Sequence, residues 1–386
     1  MLITRLKLKN WRNFPSVDVP LGSRVYLIGA NAAGKSNFLD VFRFMRTVAQ
    51  SEGGGLQKAL KERGGIKKLR SLHARTDTEV RIEMELAESS DDIGPRWRYS
   101  LAFKSEGKGK QRVLITDESV WRDGERILHR PEPEDRSDTA RLTQTYLEQI
   151  NNNADFRDLA ESFAGTTYLH LVPQLLKHSD EISGRLIEND PFGQGLLQRI
   201  AGTSKRVQDA RLRRIQAALD NAVPLFSELE FVKDEITGTP HLQARFRHWR
   251  DHGAWQREDQ FSDGTLRLIG LLWALQDGDG TLLLEEPELS LNEAIVEHIP
   301  LMLDRVLRDR KKGIRQVLVS THSEKLVAAI GDPAAVLVME PGENGTKVGP
   351  PTKDELKAMR FGLNAAEVLL PKTRPPRIEQ MGLFSE

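Results

Sequence analysis

Gly29-Ala30-Asn31-Ala32-Ala33-Gly34-Lys35-Ser36 sets two glycines, a lysine and a serine at the spacing of a loop that wraps phosphate oxygens. The glycines let the backbone curl with its N–H groups turned inward, and a helix starting at the loop's end adds a favourable dipole for the same anion. On this reading Lys35 neutralises the β- and γ-phosphates of a nucleotide. Ser36 offers its hydroxyl to Mg2+, a hard cation that prefers oxygen ligands.

Three later segments carry groups that suit the same chemistry. Glu285-Glu286-Pro287-Glu288 follows the apolar run Thr281-Leu282-Leu283-Leu284. Carboxylates at the carboxyl end of a buried parallel strand face the crevice where an α/β sheet binds ligands. One of them can hold Mg2+ through water while its neighbour orients or deprotonates the attacking water. Thr321-His322-Ser323 closes a second apolar strand, Gln316-Val317-Leu318-Val319-Ser320. A lone histidine reads first as a surface or capping residue, but the place of His322 after a buried strand favours a role at the ligand. Ser262 and Asp263 read as caps of an apolar helix expected over Leu266 to Leu275, and Gly264 lets a phosphate approach the backbone closely.

These groups need elements to hold them. Val25-Tyr26-Leu27-Ile28 reads as a buried strand before the loop, and Phe38, Leu39, Val41, Phe42 and Met45 recur at helical spacing after it. Leu2 to Lys9 alternates apolar with polar residues, and Val17, Val19 and Leu21 repeat the pattern. Gly53-Gly54-Gly55 breaks the chain after the first helix. Glu79 to Leu86, Trp97 to Phe103, Arg112 to Thr116 and Ser119 to Arg122 then read as strands of an antiparallel β lobe from about residue 76 to about 130. From the linker Pro131-Glu132-Pro133-Glu134-Asp135 to about residue 225 the pattern is helical, at Thr139 to Ile150, Asp155 to Phe163, Gly193 to Ile200 and Gln208 to Leu219. No heptad is sustained there, so a compact lobe is expected, not a coiled coil. Phe226 to Phe246 reads as strands around the turn Gly238-Thr239-Pro240.

The 386 residues give ample length for a sizeable core, and 56 basic against 56 acidic residues leave no net charge. Contacts with nucleic acid must therefore come from local patches. The chain has no cysteine, which excludes disulfides, thiolate metal sites and cysteine nucleophiles. Without a spanning apolar run or a signal-like N-terminus, a cytoplasmic location is expected.

The order of segments carries a resemblance. A phosphate loop, Ser-x-Gly at a helix start, four apolar residues with Glu-Glu, Ser290-Leu291-Asn292 and Ser320-Thr321-His322 together resemble the ATP-binding-cassette (ABC) ATPases. Leu8-Lys9-Asn10-Trp11-Arg12-Asn13-Phe14, and Ser36-Asn37-Phe38-Leu39-Asp40 after the loop, are similar to their soluble branch of SMC, RecF-like and OLD-type ATPases. The matched segments cover about residues 1–50 and 258–340. The resemblance implies an α/β fold, a P-loop NTPase of ABC-ATPase type with an antiparallel β lobe and an inserted helical lobe. Its segments would be 1–130 (N-terminal head with the β lobe), 131–225 (helical insertion), 226–370 (C-terminal head) and 371–386 (extended tail).

The resemblance also implies roles. Gly29, Asn31, Ala32, Ala33, Gly34, Lys35, Ser36 and Asn37, with Arg12 and Asn13, would bind ATP. Ser262 and Gly264 would belong to a signature motif that meets the γ-phosphate held by the other subunit of a dimer. Ser36 and Glu285 would serve Mg2+, Glu286 would be the catalytic base, and His322 would sense the γ-phosphate. Glu285 stands where the family usually has aspartate, a departure whose extra methylene would push the metal contact outward, a difference that water can bridge. The family's Q-loop glutamine is not evident, since Gln57 lies too close to the first helix and 64–72 contains no glutamine.

The expected function is a Mg2+-dependent ATPase that dimerises head to head and couples ATP state to DNA or to a separate nuclease or toxin effector, in DNA repair or anti-phage (antiviral) defence. Two other readings are an ATPase subunit of a membrane transporter and a slow nucleotide-gated binding module. The insertion of about 200 residues between the two motifs and the SMC-like start argue against the transporter. About 64 residues follow His322, too few for the Toprim nuclease of OLD-type relatives. Lys67-Lys68-Leu69-Arg70, Lys104 to Arg112, Arg211 to Arg214 and Arg310-Lys311-Lys312 are candidate phosphate-backbone contacts, each also readable as a solvated face. Arg245, Arg247, Trp249, Arg250 and Trp255 mix cations with aromatics near the signature motif.

Overall fold

Strict alternation at the N-terminus becomes a strand buried on one face, β1 (Leu2–Trp11), which turns through Arg12 and Asn13 into β2 (Phe14–Pro20), with Trp11 paired to Phe14. The continuous apolar run that follows is β3 (Arg24–Gly29), in which Val25 to Ile28 are all at most 2 % exposed. The computed structural model describes residues 1–74, 76–88, 94–107, 112–178, 192–247, 255–308 and 315–373. The chain forms two compact units, one of 1–167, 279–283 and 310–386 and the other of 168–278 and 284–309.

In the first unit, β4 (Val80–Ala87), β5 (Trp97–Ser105), β6 (Val113–Arg122) and β7 (Glu125–Arg130) complete an antiparallel sheet of order β2-β1-β4-β5-β6-β7. The two strands expected within 112–122 are one strand, in which a register shift between Ala102 and Phe103 of its partner absorbs the interruption.

The helix expected over Thr139 to Ile150 does not form. Only a 3-10 segment, Thr139–Thr143, is present. Buried Glu118 explains the break, because its carboxylate takes the N–H groups of Tyr146 at 2.9 Å and Leu147 at 3.2 Å, which a helix would need for itself. Arg130 likewise takes the carbonyls of Arg141 and Gln144. Residues 131–167, expected at the start of the helical insertion, thereby belong to the first unit.

A short strand, β8 (Thr167–Leu169), leaves this unit; β9 (Phe226–Lys233), β10 (Pro240–Phe246) and β11 (Trp255–Arg257) form a small antiparallel sheet of the second. The expected turn at Gly238-Thr239-Pro240 joins β9 to β10. The helices expected at Gly193 to Ile200, Gln208 to Leu219 and Leu266 to Leu275 form as Leu196–Gly202, Lys205–Ala222 and Asp263–Gln276.

The first unit's other sheet places β3 between β13 (Val317–Thr321) and β14 (Val336–Gly342), parallel to both, with β15 (Gly345–Gly349) antiparallel at the edge of β14. Next to β13 comes β12 (Leu282–Glu285), where Leu282 N–H donates to Gln316 O at 2.8 Å. The Lys35–Ala49 helix covers the sheet with Phe38, Leu39, Val41, Phe42, Phe44 and Met45, none more than 1 % exposed. At roughly 1.5–3 kcal/mol per buried large apolar side chain, this face anchors the loop that precedes it.

Candidate nucleotide site

In the first unit, β3 ends at Gly29, where a Cβ would lie 2.9 Å from Met339 O, so only glycine fits. The loop then passes through two left-handed residues, Ala32 (φ 64°) and Gly34 (φ 100°), a backbone form that turns consecutive N–H groups toward one side. A Cβ on Gly34 would meet Asn13 Nδ2 at 2.1 Å. Lys35 is 7 % exposed, and its ammonium donates to Gly29 O at 3.0 Å and Ala30 O at 3.2 Å. The cation is therefore held over the mouth of its own loop, on carbonyl oxygens that stand in for phosphate oxygens. Ser36 is exposed at the first turn of the helix.

The β1–β2 turn braces this loop. Asn13 Nδ2 donates to Ala33 O at 2.9 Å and to Thr346 Oγ1 at 2.8 Å, while Asn37 Nδ2 donates to Asn13 Oδ1 at 2.8 Å. Trp11, fully buried, donates its indole N–H to Asn37 O at 2.9 Å. Arg12 instead reaches Asp40 at 2.6 Å. His322 follows β13, whose Thr321 pairs with Ile28, so it stands level with Gly29 at the start of the loop. It is exposed, and Ser323 beside it caps the Glu324–Ala328 helix by accepting from Leu326 N–H at 3.3 Å.

The second unit gathers Ser262, Gly264, Glu285 and Glu286. Ser262 Oγ accepts from Thr265 N–H at 3.1 Å, the cap expected of it. Asp263 receives Lys177 Nζ at 2.7 Å and Gln174 Nε2 at 2.6 Å, and the Lys177 bond holds its carboxyl below the usual range. Gly264 runs so close to the Ser290 loop that a Cβ would sit 2.5 Å from Ser290 O. Asn292 Oδ1 accepts from Ala294 N–H at 2.9 Å, opening the Glu293–Arg308 helix.

Glu286 adopts φ 45°, an uncommon conformation for a residue with a side chain and one that clusters at functional positions. Glu285 accepts the Tyr168 hydroxyl at Oε2, and its carbonyl oxygen meets His170 Nδ1 at 3.2 Å. Burial pulls the Arg267 guanidinium below its ordinary value, against the opposing charges of Asp263, Glu286 and Glu288. Tyr168 and His170 are contacts that the sequence reading missed. The β-branched and aromatic run Thr166-Thr167-Tyr168-Leu169 was the available signal for the strand that carries Tyr168 and is followed by His170.

The donors fit Mg2+ by type, since hydroxyl and carboxylate oxygens are hard ligands. Among the described residues no group of three or more His, Cys, Asp or Glu forms an all-protein metal cage. Mg2+ commonly keeps water and phosphate ligands and takes only one or two carboxylates. Trp249, Arg250 and Arg310-Lys311-Lys312, like Lys108 to Gln111 and the tail beyond Thr373, lie outside the described residues.

Comparison with known proteins bears on this arrangement. The family model "AAA domain, putative AbiEii toxin, Type IV TA system" matches residues 25–328, well over half the chain. An SMC head bound to the C-winged helix domain of ScpA superposes with a TM-score of 0.55 at 15 % identity, covering 92 % of this chain and 100 % of that one. The SMC head with a coiled coil and joint from Pyrococcus yayanosii gives 0.50 at 12 % identity, covering 93 % and 98 %. These likenesses show the fold, that of an SMC head. No curated protein matches the sequence significantly.

Proposed function

This chain belongs to that AAA-domain family, a nucleotide-binding ATPase with the SMC-head form of the ABC-ATPase fold, and on that premise we propose that it binds and hydrolyses ATP as a head-to-head dimer. The observation that carries the reading is Lys35, buried and fixed over the phosphate loop. Gly29, Asn31, Ala32, Ala33, Gly34 and Asn37 supply the backbone and side-chain frame for the phosphates, with Asn13 bracing the loop and Arg12 beside it. Ser36 and Glu285 are the groups that hold Mg2+, which supplies positive charge to the phosphates when bound. Glu286 takes the proton of the attacking water. His322 reads the γ-phosphate, and Ser262 and Gly264 address the nucleotide of the opposite subunit.

The output of the ATP cycle is proposed to reach DNA or a separate nuclease or toxin effector, in DNA repair or antiviral defence. The family description, which names a toxin of a type IV system, supports the defence setting. Among the described residues no helix is long and apolar enough to cross a membrane. Phosphate release by the purified protein in ATP and Mg2+, with and without duplex DNA, tests the proposal. Turnover stimulated by DNA supports it. Tight ATP binding with no turnover under either condition favours a nucleotide-gated binding module instead.

A further inference from the structure

A cleft of about 570 Å3 opens in the first unit, lined by Arg12, Asp40, Arg43, Lys61, Arg63 and Lys68. With Glu62 also in the lining, five cations face two carboxylates. Asp40 is already engaged, by Arg12 at 2.6 Å and by both Arg63 Nε at 2.9 Å and Arg63 Nη2 at 2.8 Å. Burial alone would raise this carboxyl, but Arg63 and Arg12 outweigh it and hold the group below its usual range. One carboxylate thus fixes two guanidinium groups and leaves the cleft cationic.

Two observations point to a ligand. Arg12 Nε is buried with no acceptor, an N–H left unspent beside the cleft. Lys61 and Lys68 are exposed, and among the described residues neither forms an ion pair. Helix dipoles favour Lys61 and Lys68 at the ends of Leu56–Glu62 and Ile66–Leu69. They do not account for Arg12 from the β1–β2 turn or Arg43 from the Lys35–Ala49 helix, which converge on the same space.

We infer that this cleft is a second phosphate site, separate from the phosphate loop, that takes a phosphate group from outside the bound nucleotide. Guanidinium forks and flexible ammonium groups together suit a phosphate oxyanion. The phosphodiester of a DNA backbone and a free phosphate compound share that chemistry. Only the DNA source rests on the function proposed above. The cleft also has a route to the loop, because Arg12 is followed by Asn13, which holds Ala33 O. A phosphate that draws on Arg12 acts one residue from the loop's brace.

The test uses the full chain without ATP. Fluorescence anisotropy measures binding of a short DNA duplex across a salt series for the wild type and for Lys61→Gln/Lys68→Gln, and thermal melting with inorganic pyrophosphate probes the free-phosphate source. The double variant should bind duplex at least about tenfold more weakly, with a salt dependence shallower by about 2, close to one per lost phosphate contact. Its melting midpoint without ligand should equal that of the wild type. Pyrophosphate stabilisation of the wild type alone, without duplex binding, supports the site and assigns it to a free phosphate compound. If neither probe separates the wild type from the double variant, the inference is overturned. With no ATP in the assay, a failure of hydrolysis does not bear on this result.

Discussion

Tyr168 gives its phenolic hydrogen to Oε2 of Glu285, the last residue of β12. If Glu285 organises the metal, Tyr168 sets its aim. Tyr168→Phe removes only the hydroxyl, and a hydrogen bond to a charged group contributes about 1.5–3 kcal/mol. The carboxylate here is partly exposed, so a loss of about 1 kcal/mol in urea unfolding is expected. The Mg2+ concentration for half-maximal turnover should rise several-fold. An unchanged Mg2+ dependence would show that Tyr168 does not position a metal ligand.

Lys35→Ala should weaken ATP binding by about a hundredfold or more, because a charge-assisted partner of the phosphates is lost from a buried position. Equilibrium binding of a fluorescent ATP analogue measures this. Near-wild-type affinity would count against the loop as the nucleotide site.

On the proposed head-to-head dimer, Ser262→Arg should leave ATP binding by the monomer intact but block ATP-driven dimerisation, because a bulky cation would sit where that proposal places the opposite γ-phosphate. Gly264→Ala should fail for a different reason. Its methyl group would meet Ser290 O at 2.5 Å, and the backbone shift needed costs about 1–3 kcal/mol. Light scattering with ATP, ADP and no nucleotide separates these outcomes. A wild type whose mass never changes with nucleotide would contradict ATP-driven pairing.

The buried ion cluster of the first unit gives a prediction about pH. Arg130 bridges Glu118 at 2.9 Å and Asp135 at 3.0 Å, and all three side chains are inaccessible to solvent. Burial raises the Glu118 carboxyl above its ordinary value, whereas for Asp135 the bonds from Arg130 and Glu132 N–H outweigh burial and lower it. Arg130→Met leaves two buried carboxylates without their cation, at a cost of about 3–5 kcal/mol near pH 7. Both groups should then take up protons on folding, so the variant should regain stability as pH falls toward 5. In the wild type Asp135 works oppositely, its contribution fading as pH falls through its lowered value. Urea titrations of both proteins at pH 7 and pH 5 check the sign, and a deficit that grows on acidification would contradict it.

Much of this was legible because local pattern and tertiary demand agreed. The phosphate loop, β3, the Asp263–Gln276 helix and the strand into Glu285 each announce themselves through spacing and through the burial that spacing imposes. The stretch from Thr139 to Ile150 was misread because its helical periodicity competes with Glu118 and Arg130, partners distant in sequence that claim its backbone groups. β8 was missed because three residues are too few for alternation to show, so Tyr168 and His170 entered no sequence-based site. The cationic cleft was legible only as the scattered cluster around Lys67 to Arg70, since Asp40 draws Arg12 and Arg63 together from separate segments.

Glu286→Gln separates binding from hydrolysis in one protein. The amide keeps the shape of the side chain but cannot accept the water's proton at neutral pH, so steady-state phosphate release should fall by about a hundredfold or more while ATP and Mg2+ remain bound and the dimer accumulates. Glu285→Gln should instead weaken Mg2+ retention. Wild-type turnover by Glu286→Gln, with Glu285→Gln trapping the bound dimer, would reverse the two roles. Full turnover by both variants would contradict the assignment of the β12 edge as the place where ATP is hydrolysed.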